Sequence, residues 1–169
     1  MKAAYYNLCV DKYSDMLMGY AYKVCGDYFT AEDAVQEAFL RLWENRNKVE
    51  EKGVKSWLFT SVYRILIDNY RKNKRTDLPE ALPESAADDV YGHFENCELI
   101  NAALGELTPI QRSIVLLKDI EGYRYDEIAT MLELTLSQVK VYLFRARKKL
   151  KISLEAIEPN MMKRETQSK

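Results

Sequence analysis

The chain has 169 residues, with 25 Lys and Arg against 26 Asp and Glu, a formal net charge of −1, 47% apolar types and 30% charged types. That balance belongs to a soluble globular protein; it excludes a disordered chain and a bilayer-spanning one, which needs an apolar run of roughly 18–20 residues. The single His, His93, and three cysteines at no metal spacing, Cys9, Cys25 and Cys97, leave no His-based triad and no metal cluster, and fit a reducing compartment without disulfides. Met1 to Asn7 lacks the apolar core of a signal peptide. The expectation is a cytoplasmic protein that is not an enzyme, carries no cofactor or metal and does not insert into a membrane.

In chain order, the first helix is expected over 3–25, with Gly26 as its left-handed stop. Cys9 and Cys25 fall on its apolar pattern and read as buried thiols; the alternative, a thiol catalyst, would need an accessible thiolate. The second helix, 31–46, opens on Thr30-Ala31-Glu32-Asp33, a hydroxyl cap with an acid at the third position. At roughly 100° per residue, Val35, Ala38, Phe39, Leu42 and Trp43 share about one third of the circumference and form a core stripe. The opposite side carries Asp33, Glu37 and Glu44 with Leu40 among them. It is a solvated acidic face, or a partner surface that uses the apolar Leu40.

The third helix, 55–75, starts near Gly53 to Ser56. Leu58, Val62, Ile65 and Leu66 line one side; Trp57, Arg64, Asp68, Arg71 and Arg75 share another, with Lys72 beside it. Cations interleaved with an aromatic supply charge for phosphates and a flat face for stacking, as a single nucleic-acid strand requires. The same residues also fit a core Trp57 flanked by ordinary Arg64–Asp68 and Asp68–Arg71 ion pairs.

Charge then changes sign. Residues 1–75 hold 13 basic and 10 acidic side chains, 76–99 hold none against seven, and 100–169 hold 12 against nine. Two blocks of net +3 thus flank an acidic segment of net −7, which also contains Pro79, Pro83, Gly92 and the run from Ser85 to Asp89. The segment reads as a linker able to reach roughly 80 Å when extended at about 3.3 Å per residue.

Beyond it, helices are expected over 93–105, 109–121, 125–133 and 136–154. Thr108-Pro109-Ile110-Gln111 is a capping box with Pro at the first helical position, Thr135-Leu136-Ser137-Gln138 repeats the box, and Gly122 can end the helix between them. The short helix turns Ile128, Ala129 and Leu132 inward and is joined to the last one through Leu134-Thr135, a helix-turn-helix. In the last helix Val139, Leu143, Ala146 and Leu150 lie within about 60° and pack inward. The outward arc holds Gln138, Val141, Tyr142, Arg145, Lys148 and Lys149, with Lys140 and Arg147 at its edges and Ser137 at its head. Long cations for phosphates, an amide for a base edge and small or flat groups for thymine methyls are what insertion into a major groove needs. The fold class expected is all-α: two small helical domains, 1–75 and 100–155, joined by the acidic linker 76–99, the C-terminal one a helix-turn-helix, with a tail at 156–169.

Two ordered sets of residues carry a family pattern. The first runs from Ala31-Glu32-Asp33-Ala34-Val35-Gln36-Glu37-Ala38-Phe39-Leu40-Arg41-Leu42-Trp43 through Trp57-Leu58-Phe59-Thr60 to Ile67-Asp68 and Arg71. The second runs from Leu107-Thr108-Pro109 through Gln111-Arg112, Glu121-Gly122 and Tyr125-Asp126-Glu127-Ile128-Ala129 to Val139-Lys140 and Arg145-Ala146-Arg147. Over roughly residues 5–152 the chain resembles the extracytoplasmic-function sigma factors, the two-domain class of the sigma-70 family of bacterial transcription.

The resemblance implies a protein that binds core RNA polymerase and directs promoter-specific initiation. Asp33, Gln36, Glu37, Leu40 and Arg41 would face the polymerase. The third helix, with Trp57, Arg64, Asp68, Arg71 and Arg75, would hold the melted downstream promoter element, and Ser137, Gln138, Lys140, Val141, Tyr142, Arg145, Lys148 and Lys149 would read the upstream element as duplex. It also implies an anti-sigma factor as a partner, often a membrane-anchored one. Four positions depart from the family pattern: Arg64 stands for a usual Asn, Arg124 for a cap Ser, Glu133 for a turn Gly and Val141-Tyr142 for a common Ser-Arg pair. The alternative is a regulator that binds duplex DNA through the helix-turn-helix without polymerase. It would have no use for the face around Asp33, Glu37 and Leu40.

Overall fold

The computed structural model describes residues 2–75 and 95–166, within which every regular element is a helix. In chain order these are α1 (Ala3–Cys25), α2 (Tyr28–Glu44), a short 3-10 turn (Glu51–Gly53), α3 (Val54–Arg75), α4 (Glu95–Gly105), α5 (Pro109–Val115), α6 (Tyr125–Leu132) and α7 (Leu136–Thr166). The acidic segment lies outside the described residues as far as residue 94.

Most helix boundaries follow from the caps. Gly26 ends α1 at φ 76°, and Gly122 takes the same angle after α5. Thr108 and Gln111 exchange both hydrogen bonds of their box, as do Thr135 and Gln138. Three elements differ from expectation by more than two residues. α2 begins at Tyr28, because Asp27 and not Thr30 is the cap: its carboxylate accepts the Thr30 N–H at 2.8 Å and the Thr30 hydroxyl at 2.5 Å. The helix expected over 109–121 changes pitch midway. Leu116–Ile120 winds as a π turn in which Glu121 N–H donates to Leu116 O at 3.0 Å. α7 continues to Thr166, well beyond the expected 154.

Arg124 illustrates a cap without a capping side chain. A guanidinium cannot accept, so only the reciprocal half of the box forms, with Glu127 Oε2 taking the Arg124 N–H at 2.7 Å. The guanidinium pairs instead with Asp126, whose carboxyl it holds below its ordinary range. At the far end of α6, Glu133 occupies the left-handed region at φ 57°.

The core of the first half is the α1–α2–α3 bundle around Leu17, Leu42, Leu58, Phe59 and Val62, all essentially inaccessible. That of the second half is built on Ile114, Leu117, Ile128, Val139 and Leu143. Each such side chain contributes about 1.5–3 kcal/mol by leaving water. Trp43, expected in the core stripe, is 36% exposed; its ring packs edge-on to Tyr6 at 5.0 Å with the Arg46 guanidinium 4.4 Å above it.

The two halves are packed together. α1 lies on α5 and α3 on α6, so one continuous cluster of buried side chains runs through both. Arg112 on α5 is the pin of this seam. Its guanidinium donates to the carbonyls of Leu104, Gly105 and Leu107 at the end of α4, and across the seam to Val24 O at 2.9 Å. Lys55 pairs with Glu121 at 2.9 Å while lying over the rings of Phe59 and Tyr123, which meet edge to face. The Tyr20 and Ser113 hydroxyls are buried against each other without a well-formed hydrogen bond. The Tyr123 hydroxyl is buried without a partner as well, and burial pushes it up to about 12.

Candidate functional surfaces

α2 and α3 cross so that a shallow groove of about 660 Å³ opens between them. Its lining contains all five residues expected on the partner-facing side of α2: Asp33, Gln36, Glu37, Leu40 and Arg41. Leu40 is 51% exposed in the middle, and Arg41 Nε donates to Glu37 Oε1 at 2.8 Å. An exposed pair of this kind contributes only about 0.3–0.5 kcal/mol to the helix, so its charges remain available to a partner. The other wall comes from Ile65 and Asn69 of α3. Sequence reasoning did not include these two, because Ile65 reads as core from its own helix alone. The structure makes it the nearly buried floor of the groove.

The strip expected on α3 is divided. Asp68, Arg71 and Arg75 are exposed, whereas Trp57 is half-buried against the core. Arg64 makes no ion pair with Asp68; it reaches across the seam to Glu133 Oε1 at 2.5 Å. Two of the positions that depart from the family pattern therefore meet each other. Beside them Tyr63 is buried, which raises its hydroxyl; Arg71 lowers it, and Tyr142 and Glu133 add to the rise.

On α7, Ser137, Gln138, Lys140, Val141, Arg145, Lys148 and Lys149 are all exposed. Gln138 is partly committed, since its side-chain carbonyl takes the Thr135 N–H at 2.8 Å and only the amide NH₂ is left to read a base. Tyr142 is half-buried and packs against the core, so only part of it is presented on this face. Arg147 is occupied as well, forming a two-armed pair with Asp119 in the π turn that ties α7 to the end of α5. The face carries one residue the arc of cations obscured. Phe144, at 71%, is among the most exposed large apolar side chains described, and it lies one turn from Val141, itself 45% exposed. Helical spacing alone could have found it, because Val141, Phe144 and Lys148 fall within about 60° of one another.

Residues 9–76 match the family model of sigma-70 region 2, and residues 97–150 match that of sigma-70 region 4. The chain is 30% identical over 147 residues to the RNA polymerase sigma-E factor of Streptomyces coelicolor, covering 84% of this chain and 81% of that one. The chain belongs to the sigma-70 family. Within that family it is an extracytoplasmic-function sigma factor. It is 32% identical over 152 residues to the ECF RNA polymerase sigma factor SigE of Mycolicibacterium smegmatis, spanning 84% of this chain and 58% of that protein. It is 28% identical to SigL of Mycobacterium tuberculosis over 92% of both chains. In fold it is similar to the sigma factor RpoE solved in complex with the anti-sigma factor NepR from Bartonella quintana (TM-score 0.76, 23% identity, 88% of this chain and 96% of that one). In this sigma factor α2 and α3 lie in the region 2 match, and α6 and the first turns of α7 in the region 4 match. No helix among the described residues is long and apolar enough to cross a membrane.

Proposed function

We propose that this sigma factor binds core RNA polymerase through the α2–α3 groove, holds the opened downstream strand along α3 and reads the upstream element with α7. The convergence of Asp33, Gln36, Glu37, Leu40 and Arg41 on one groove carries the reading. Residues 1–75 act as the polymerase and strand module, 100–155 as the duplex module, and 76–99 as the tether between them. The protein works in the cytoplasm, and it is a specificity subunit with no catalytic step of its own.

The physics suits two weak readers. A net charge of +3 in each half supports few phosphate contacts, and such binding falls steeply with salt. Joining both halves to one polymerase makes the second contact intramolecular and raises its effective concentration. Asp68 aside, the exposed cations Arg71 and Arg75 can follow a phosphate backbone while the half-buried Trp57 offers a ring edge to a base. Binding exposed bases in the opened state, and not in duplex, shifts the equilibrium toward melting without ATP chemistry. On α7 the Lys140, Arg145, Lys148 and Lys149 cations position the helix on phosphates, and Val141 and Phe144 offer apolar contact to thymine methyls in the groove.

An anti-sigma factor remains part of the proposal; the solved relatives include the sigma factor–NepR complex and a structure of CnrH with the cytosolic domain of CnrY. In vitro transcription with core polymerase across a promoter library tests the reading, and the expected outcome is initiation at defined sites. Tight, specific duplex binding without polymerase would instead support the polymerase-independent regulator.

A further inference from the structure

Five large apolar side chains stand exposed among the described residues of the first half: Leu8, Phe29, Leu40, Trp43 and Tyr70. Three of them, Phe29, Leu40 and Trp43, fall within about 60° of one another on α2, on the side that carries Asp33 and Gln36. Phe29 is the most exposed of the five, at 75%. We infer that the polymerase-facing surface of α2 continues one turn beyond the groove, toward the start of the helix, and that Phe29 is a second apolar anchor for core RNA polymerase. The inference rests on the groove being the polymerase surface.

Phe29 stands outside the groove lining, which begins at Asp33, and before the family pattern, which begins at Ala31. Its place on this face follows from how α2 starts. A helix opening at a Thr30 cap would leave Phe29 in the preceding loop. Asp27 moves the cap back three residues by accepting from the Thr30 N–H and hydroxyl, and so brings Phe29 into the first turn in phase with Leu40. Tyr28 meets its ring edge to face at 6.1 Å, and three quarters of the residue stays in water. Apolar surface held in place and left wet is what a partner can bury, and sinking one such ring in a socket is worth about tenfold or more in affinity.

Phe29 and Leu40 lie 11 residues apart, about 16 Å along the helix, with Asp33 and Glu37 between them. The surface that fits has two apolar sockets at that separation and cations between. A nucleic acid does not fit, because the two carboxylates would meet its phosphates. Core polymerase is the partner of the adjoining groove, and the two anchors share one continuous face with it.

Fluorescence anisotropy of the full chain, labelled through an unnatural amino acid at position 151, reads its affinity for core RNA polymerase. Phe29→Ala should weaken binding about tenfold, by the same factor at low and at about 0.5 M salt, since apolar burial is not screened. Phe29→Leu should stay within about twofold of the native chain. Leu8→Ala removes an apolar side chain that is 63% exposed on another helix and should bind as the native chain does. Circular dichroism should give the same helicity and Tm for all three. The anchor is overturned if Phe29→Ala keeps native affinity, if its loss fades with salt, if Leu8→Ala loses as much, or if Phe29→Ala melts earlier. It is overturned too if the chain alone sediments as a dimer that Phe29→Ala dissolves, which would assign the face to a second copy. Glu37→Lys, titrated in the same way, tests the groove separately. Native affinity there removes the groove reading, whereas a loss with Glu37→Lys beside native affinity with Phe29→Ala removes the anchor alone.

Discussion

At the residue scale, burial decides which side chains have spare chemistry. Cys9 is 3% exposed, and burial pushes both its thiol and that of Cys25 above the ordinary range. Alkylation of Cys9 and Cys25 by iodoacetamide at pH 7.5, followed by mass spectrometry, should run more slowly than that of a free thiol, because the thiolate is the nucleophile. Phe144 lies at the opposite extreme. Replacing thymine by uracil in the upstream element removes only methyl groups and should weaken polymerase-dependent binding to the native protein, whereas Phe144→Ala should abolish most of that difference. Gln138 has two duties, so Gln138→Ala should relax discrimination at one base and also lower stability by about 0.5–1.5 kcal/mol, seen in urea denaturation, through the lost bond to Thr135 N–H.

At the element scale, local chemistry accounts for the helices and distant chemistry for how their ends are tied. Thr108, Pro109 and Gln111 predict the start of α5 because a cap acts within one turn. The π turn that follows was not legible, since Leu116 and Leu117 fit either pitch and the Asp119–Arg147 pair joins residues 28 apart. Arg112 was visible only as part of a family pattern, yet its guanidinium serves four carbonyls. Arg112→Ala should cost about 3 kcal/mol, measured by urea denaturation, because it strands backbone acceptors at the ends of α1 and α4. Trp43 is the converse case. Helical periodicity placed it with the core stripe, but the first helix supplies only the edge of Tyr6 at that end of α2, and the ring stays partly in water.

On the scale of the whole molecule, the proposed polymerase contact rests on the charged groove between α2 and α3. Glu37→Lys reverses a charge in the middle of the α2–α3 groove and breaks its pair with Arg41. The variant should lose core polymerase in co-purification while circular dichroism shows helicity unchanged; retained polymerase would remove the groove from the binding surface. The amino-acid order by itself determined that the described residues are all-helical, where most of the caps fall, which faces are apolar and that α7 presents cations. Those features act over one or two turns, where neighbours along the chain are neighbours in space. Only the tertiary structure decided that Ile65 and Asn69 complete the groove, that Arg112 reaches Val24 across 88 residues and that Arg64 meets Glu133 across 69. Contacts at such separations depend on how whole helices pack, and no local period records which exposed charge will find which partner.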